Sequence, residues 1–195
     1  MIKSRKEYYY YRECDKLALG IRDRRHPKLL GDDIWKFEIL LRKAEYYKNC
    51  KKNIINKMIY YIIYYKFKKK SIKLGFTIPL NVFEQGLSIA HYGTIVVNEN
   101  AKVGKNCRIH TCTTIGATNG QKKAPKLGDN VYIGSGAKII GDITIGDNIA
   151  IGANAVVNKN FERGNCTIGG VPAKIISDNN SHNHLCNLLK ENKML

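Results

Sequence analysis

The chain has 195 residues and a net charge of +17, from 33 Lys and Arg against 16 Asp and Glu. Apolar residues make up 44% of it, enough to bury a core, which argues against a disordered chain. Its longest apolar run, residues 58–65, is far shorter than the ~20 residues that span a bilayer. The N-terminus lacks the apolar segment of a secretory signal, so we expect a cytoplasmic protein.

Six cysteines are spread along a chain that is neither short nor evidently secreted. They form no C-x-x-C pair and show no zinc-finger spacing. We therefore expect reduced thiols that serve mostly as small apolar side chains, and no metal site.

The positive charge is concentrated in residues 1–75, which carry a net +13 and ten of the twelve tyrosines, whereas residues 76–176 carry only +4. Basic segments rich in aromatic residues favour nucleic acid, a membrane surface or an acidic polymer. No nucleic-acid motif accompanies the charge, so we do not predict nucleic acid. A solvated helical face is the alternative interpretation.

Residues 1–75 are predicted to be helical. Asp32 and Asp33 can cap a helix that runs through residue 47, because negative charge suits a helix N-terminus. A second helix is predicted over residues 53–70. It is apolar nearly all round between residues 58 and 65, which predicts burial, for instance against other subunits.

From residue 78 onward the sequence repeats every six residues, a period that no helix keeps. Three such units make one triangular coil, so a left-handed parallel β-helix is predicted: the fold is mainly β with an α N-terminal region. We expect a basic helical domain over residues 1–75, the β-helix over 76–176 and a polar tail over 177–195, with a short helix over 184–190. The repeat breaks at Gln121, within the predicted external loop 118–125. The repeating aliphatic positions are Val97, Val103, Ile109, Ile115, Leu127, Ile133, Ile139, Ile145, Ile151 and Val157.

His91 lies six residues before Val97, in a slot that the repeat reserves for an aliphatic side chain. An imidazole has an ordinary pKa near 6.5 and can take a proton from a hydroxyl at neutral pH. One coil is eighteen residues, so His110 is expected close to His91 on the next coil. The alternatives are a structural histidine at 91 and a turn-capping one at 110.

The stretch from His91 to Asn98 (HYGTIVVN) resembles the catalytic segment of serine acetyltransferases. The G-V-P-A-K closure at 170–174 resembles that of acetyl-CoA-dependent acyltransferases more generally. The resemblance covers residues 78–176. It implies an O-acetyltransferase with acetyl-CoA as donor, His91 as general base, and a homotrimer whose sites lie between neighbouring prisms.

Three positions depart from that family. Its acidic residue before the histidine is Ala90 here, its orienting Asp falls at Phe76, and its second histidine falls at Ala124. A site without these charge partners should bind zwitterionic serine poorly. The chain is therefore interpreted as similar to the O-acetyltransferases of capsular or other surface polysaccharides, which use a carbohydrate acceptor. Serine O-acetyltransferase of cysteine biosynthesis is the alternative, and a non-catalytic trimeric scaffold is the second.

The resemblance also implies site residues. The acceptor is expected at His110, Tyr92 and Glu84, and Glu84 is also the nearby carboxylate that could orient His91. A backbone N–H near Gly116 is expected to stabilise the oxyanion. The basic arm is expected to contact anionic partners, including a membrane surface. The donor is expected along one edge of the coils, at Gly116, Ala117, Gly134, Ser135, Gly152 and Ala153, with its phosphates near Lys138 and Lys174.

Overall fold

The structure is a computed structural model that describes residues 1–118, 120, 122–192 and 194. Over these residues the chain begins with three helices, α1 (Arg5–Ala18), α2 (Asp33–Cys50) and α3 (Ile54–Leu74). Fourteen short strands follow, and then a 3-10 turn (Ser181–His184) and α4 (Asn187–Glu191). The strands are β1 (Phe76–Thr77), β2 (Ser88–Ile89), β3 (Ile95–Val97), β4 (Lys102–Val103), β5 (Arg108–Ile109), β6 (Thr113–Gly116), β7 (Lys126–Leu127), β8 (Tyr132–Ile133), β9 (Lys138–Ile140), β10 (Thr144–Ile145), β11 (Ala150–Ile151), β12 (Val156–Val157), β13 (Thr167–Gly169) and β14 (Lys174–Ser177).

The strands form the three faces of a triangular prism. Face A is β1-β3-β6-β9-β12, face B is β4-β7-β10, and face C is β2-β5-β8-β11-β13 with β14 antiparallel at its edge. All other pairings are parallel and join successive coils. The repeat aliphatics point inward, and Ile109, Ile115, Ile133 and Ile139 are fully buried. The predicted parallel β-helix with a helical N-terminal region is confirmed.

The helices begin and end close to the predicted positions, with local differences. Asn53 caps α3 by accepting a hydrogen bond from the Asn56 N–H at 2.8 Å, and α3 runs on to Leu74, past the predicted residue 70. Asp32 stands before α2 but its side chain makes no capping bond. It pairs instead with Arg24 and accepts a hydrogen bond from the Lys28 N–H.

Two regions outside the prism also follow the sequence in outline. Between β6 and β7 the chain leaves the sheets, although Gln121, where the repeat breaks, lies outside the described residues. The tail forms the 3-10 turn and α4 instead of one helix over 184–190. Leu185 and Leu189 of this tail pack against Ala18 of α1, so the tail joins the prism to the helices.

The first coil has no coil before it, and buried acids of the helices satisfy its free N–H groups. Asp15 of α1 accepts hydrogen bonds from the Gly86 and Leu87 N–H groups, both at 2.9 Å. Glu38 and Glu45 of α2 accept from the N–H groups of Ile89 at 3.2 Å and Asn81 at 2.7 Å. These carboxyl groups therefore act in place of the missing strand partners.

Arg42 of α2 is fully buried at the centre of this cluster. Its guanidinium donates to Asp15 at 2.7 Å and to Glu45 at 3.0 Å. It also donates to the carbonyl oxygens of Phe83 and Glu84, both at 2.7 Å. One cation therefore holds two carboxylates and the backbone of the first coil together.

Glu38 gives a testable pH dependence. Burial, followed by the neighbouring Asp15 charge, raises the pKa of Glu38 well above its ordinary 4.5, so the folded protein keeps a proton that the unfolded chain releases. The stability from this group is complete below pH 4.5 and falls as the pH rises, by up to about 1.4 kcal/mol per pH unit, until the folded pKa is passed.

Replacing Glu38 with glutamine keeps the acceptor for the Ile89 N–H and removes the titration. We expect Glu38→Gln to be more stable than wild type at pH 8 and nearly equal to it at pH 4.5, as measured by urea unfolding at both values. A variant that is less stable than wild type at pH 8 would contradict the protonated state.

Candidate active site

His91 lies on the corner that joins face C to face A in the first coil, and its side chain is exposed. Ile89 occupies the inward position instead of His91. It pairs with Ile109, which lies twenty residues later, whereas Val97 pairs with Ile115, which lies eighteen residues later. The longer corner shifts the repeat by two residues. The prediction that His91 fills an aliphatic slot is therefore wrong: its ring is directed to the surface, where a substrate can reach it.

The corner is fixed from both sides. The Ala90 N–H donates to the Ile109 carbonyl at 3.0 Å, and the Gly93 N–H donates to the carbonyl of Leu74, the last residue of α3, at 2.9 Å. A Cβ on Gly93 would lie 3.2 Å from Thr111 Cγ2, and its φ of +142° also favours glycine. The end of α3 and the second coil thus position the backbone that carries His91.

His91 and His110 lie on adjacent coils, as predicted, with ring centroids 6.0 Å apart. The rings continue along face C: His110 meets Tyr132 edge-on at 5.2 Å, and Tyr132 stacks on His184 of the tail at 4.6 Å. Within the described ranges no hydrogen bond reaches the His91 ring. Phe76 and Ala124 are buried apolar side chains, so neither replaces the missing orienting group.

His110 is held neutral at physiological pH. Burial, and then the charges of Arg108 and His91, lower the pKa of His110 below its ordinary 6.5. Its Nε2 is buried without a hydrogen-bond partner among the described residues. A neutral neighbour adds no positive charge beside His91, which favours His91 as a proton acceptor.

A cleft of about 600 Å³ opens beside this corner, between residues 19–35 and face C. Ala90 and Tyr92, which flank His91 in the chain, line it together with Trp35. Charged side chains of both signs, Arg24, Asp32 and Asp33, also line the cleft. Asp32 pairs with Arg24, and Asp33 pairs with Lys70 at 2.7 Å.

Sequence reasoning missed the part that residues 19–35 play in this cleft. The two aspartates were interpreted as helix caps, and Arg24 was counted only as part of the basic arm. The available signal was the clustering of Arg24, Asp32 and Trp35 around a helix start, but nothing in the sequence places that segment against face C.

Glu84 does not orient His91. It lies before β2, so a strand of face C separates it from the corner, and its carboxylate binds the amino group of Met1 at 2.6 Å and the Tyr11 hydroxyl. Burial favours a raised pKa for Glu84, but these hydrogen bonds and nearby positive charges outweigh it and hold the pKa below its ordinary value. The role predicted for Glu84 is wrong because the carboxylate is engaged elsewhere.

The expected donor residues lie on two edges of the prism. Gly134 and Ser135 follow β8, and Gly152 and Ala153 follow β11, so both pairs share the corner type that carries His91. Gly116 ends β6, and Ala117 follows it, at the opposite end of face A. A single edge for all six residues is therefore wrong for Gly116 and Ala117. Roles in donor binding stay predictions.

Coil stacking alone accounts for Gly134: a Cβ there would lie 2.7 Å from the Ala153 nitrogen. Lys138 begins β9, and its ammonium donates to the carbonyl of Cys112 at the corner after β5. Lys174 begins β14 and is exposed. Among the described residues, no three His, Cys, Asp or Glu side chains are grouped to hold a metal ion.

The sequence profile of the bacterial transferase hexapeptide family (six repeats) matches residues 124–159. Serine acetyltransferase of Synechococcus elongatus is 42% identical over 94 residues, which cover 47% of this chain and 38% of that protein. The Helicobacter pylori serine acetyltransferase is 36% identical over 96 residues, covering 48% and 56%. The chain is therefore a hexapeptide-repeat protein that is similar to serine acetyltransferases over about half of its length. It spans about half the length, or less, of these curated relatives.

Solved structures extend the likeness to the helices. The crystal structure of serine acetyltransferase from Brucella abortus has a TM-score of 0.67 and 27% identity, covering 91% of this chain and 72% of that one. The same protein with coenzyme A bound gives a TM-score of 0.68, also at 27% identity, covering 90% and 70%. The similarity therefore includes residues well outside the repeats.

These matches correct the predicted acceptor. The relatives and the solved structures described above are serine acetyltransferases, so transfer to a capsular or surface polysaccharide is contradicted. The resemblance to serine acetyltransferases is supported, and the closer resemblance to polysaccharide enzymes is not. The alternative stated from the sequence, serine as acceptor, agrees better with the matches.

Proposed function

We propose that this chain is an acetyl-CoA-dependent serine O-acetyltransferase that serves cysteine biosynthesis. The observation that carries the proposal is the exposed His91 beside a cleft that offers both a guanidinium and carboxylates. Zwitterionic serine needs both signs of charge. Positions 76, 90 and 124 lack charged side chains. On binding, serine would replace the ion pair between Arg24 and Asp32, so that Arg24 meets its carboxylate and Asp32 meets its ammonium.

His91 would act as the general base. It takes the proton from the serine hydroxyl while the hydroxyl oxygen attacks the thioester carbonyl carbon of acetyl-CoA. When the tetrahedral intermediate collapses, the carbon–sulfur bond breaks, and the departing thiolate receives the proton from the His91 imidazolium. The products are O-acetylserine and coenzyme A, with no net change in protons.

The donor would approach along the edge where Ser135 and Ala153 are exposed in successive coils above the His91 corner. The Brucella relative that was solved with coenzyme A supports acetyl-CoA as the donor. We propose that the chain works as a homotrimer, with each site completed by a neighbouring prism. The hexapeptide match and the shared fold support this assembly.

The acceptor is tested by release of coenzyme A from acetyl-CoA in the presence of L-serine. We expect Arg24→Gln to raise the KM for serine about tenfold with a small change in kcat, because a charge-assisted hydrogen bond of about 1.4 kcal/mol is lost from ground and transition states alike. Arg25→Gln, an exposed neighbour that does not line the cleft, is the matched control.

Two results would overturn the proposal. Wild-type protein that binds acetyl-CoA but transfers no acetyl group to serine would exclude this acceptor. An Arg24→Gln enzyme with an unchanged KM for serine would exclude the cleft as the acceptor site.

A further inference from the structure

Helix α3 has two apolar faces, and only one is covered. Phe67 and Leu74 pack in one core with α2 and the prism, and Ile63 is also buried. The opposite face bears seven large apolar side chains that are 58% to 80% exposed. The six from residue 54 to residue 65 recur at helical spacing and form one stripe, and Ile72 lies on the same face two turns further along. The stripe consists of Ile54, Ile55, Met58, Tyr61, Ile62, Tyr65 and Ile72.

Exposed lysines border the stripe on both sides. Helical spacing places Lys57 and Lys68 along one edge and Lys66 and Lys73 along the other, with Lys69 at the C-terminal end of the stripe. Residues 46–83 contain nine lysines and no Asp or Glu. The surface is therefore an apolar strip bordered mainly by lysines; the acids that reach α3 are Asp33, which pairs with Lys70, and Glu99, which lines a cavity with Lys68.

Two cationic clefts adjoin the first turns of α3. One, of about 380 Å³, is lined by Arg5, Arg12, Lys43 and Lys51 with four tyrosines, and no carboxylate lines it. The Arg12 Nε is buried there without a hydrogen-bond partner among the described residues. The second cleft, of about 250 Å³, shares Lys51 with the first and includes Tyr61 of the stripe. Both clefts suit the phosphate groups of lipids. These phosphates would lie at the membrane surface, and the stripe would enter the apolar phase beside them.

We propose that the stripe of α3 lies on a bilayer that contains anionic lipid, with its apolar side chains in the acyl boundary and its lysines on the headgroups. Charge complementarity selects this occupant. A two-fold contact of the stripe with the same stripe of a second copy would place two lysine-rich surfaces against each other, and a nucleic acid would leave the isoleucines and the methionine uncovered. None of the described helices is long and apolar enough to cross the membrane, so the contact is peripheral.

The test is co-sedimentation of the full chain with phosphatidylcholine vesicles, with and without phosphatidylglycerol. We expect binding only to the anionic vesicles, and a loss on adding salt. Lys57→Gln combined with Lys66→Gln should weaken binding about 25-fold, since each lysine near the surface contributes about fivefold. The matched control is Lys102→Gln with Lys126→Gln, two exposed lysines on face B.

The apolar contribution is tested by Met58→Ser with Ile62→Ser, which should abolish binding to anionic vesicles while the far-UV spectrum and melting temperature stay unchanged. Val171→Ser with Ile176→Ser, exposed apolar residues outside α3, should bind like wild type. Equal binding to neutral vesicles, or none to either kind, would overturn the proposal. Two further outcomes would also overturn it. Stripe variants that change only the sedimentation coefficient of the protein would indicate contact with a second copy. Lysine variants that lose only binding to a DNA or RNA probe would indicate a nucleic-acid partner.

Discussion

Replacing His91 with alanine is expected to lower kcat for acetyl transfer to serine by a factor of about 10² to 10⁴, the range that a general base contributes. His91 is exposed beside the cleft, and the described part of the chain offers no second unpaired histidine there, since the ring of His110 is partly buried and its Nε2 is enclosed. The measurement is coenzyme A release at saturating acetyl-CoA and serine.

The control separates loss of the base from loss of the fold. His182→Ala changes a histidine in the tail whose Nε2 lies 3.0 Å from Asn148 Oδ1, and it should leave kcat close to the wild-type value. The His91→Ala protein should also bind acetyl-CoA with nearly unchanged affinity in calorimetry, because the donor edge lies on the later coils. An alanine variant that transfers acetyl at the wild-type rate would exclude His91 as the base.

The prism was predictable because its information is local and repeated. Each unit from Val97 to Val157, except the one at Gln121, places an aliphatic residue at the same phase. One coil of eighteen residues brings Ile115 directly onto Val97. The same regularity misled the prediction for His91. A corner that is longer by two residues moves Ile89 into the interior and leaves the histidine outside. A search for a six-residue period cannot detect such an insertion unless the strand register is known.

In the helical region the helices were predictable from the sequence, but their contacts with the prism were not. Helices over residues 33–47 and 53–70 follow from apolar spacing and capping residues, but α1 was not delimited, and its role depends on contacts far apart in the chain. Asp15 and Glu38 look like ordinary solvated acids in the sequence. Only the fold brings them under the first coil, where they accept hydrogen bonds from residues 86–89. The acceptor cleft was missed for the same reason.

Replacing Arg42 with methionine is expected to reduce the free energy of unfolding by about 3–5 kcal/mol, because two buried carboxylates then lose the guanidinium that pairs with both of them. Asp15 and Glu45 are both within 3.0 Å of the guanidinium, and all three side chains are at most 2% exposed. Methionine has a similar length and fills the space. The decrease in the free energy of unfolding therefore measures the loss of the charge more than a change in packing. Urea unfolding followed by circular dichroism measures the change.

A rescue variant distinguishes this cause from a general disruption of the core. Asp15→Asn and Glu45→Gln, added to Arg42→Met, remove both charges but keep oxygen acceptors for the N–H groups of the first coil. We expect the triple variant to recover more than half of the lost stability, since no uncompensated charge stays buried. Arg22→Met, which breaks the exposed pair with Glu191, should change stability little. A triple variant that is less stable than Arg42→Met alone would contradict the view that unpaired buried charge causes the loss of stability.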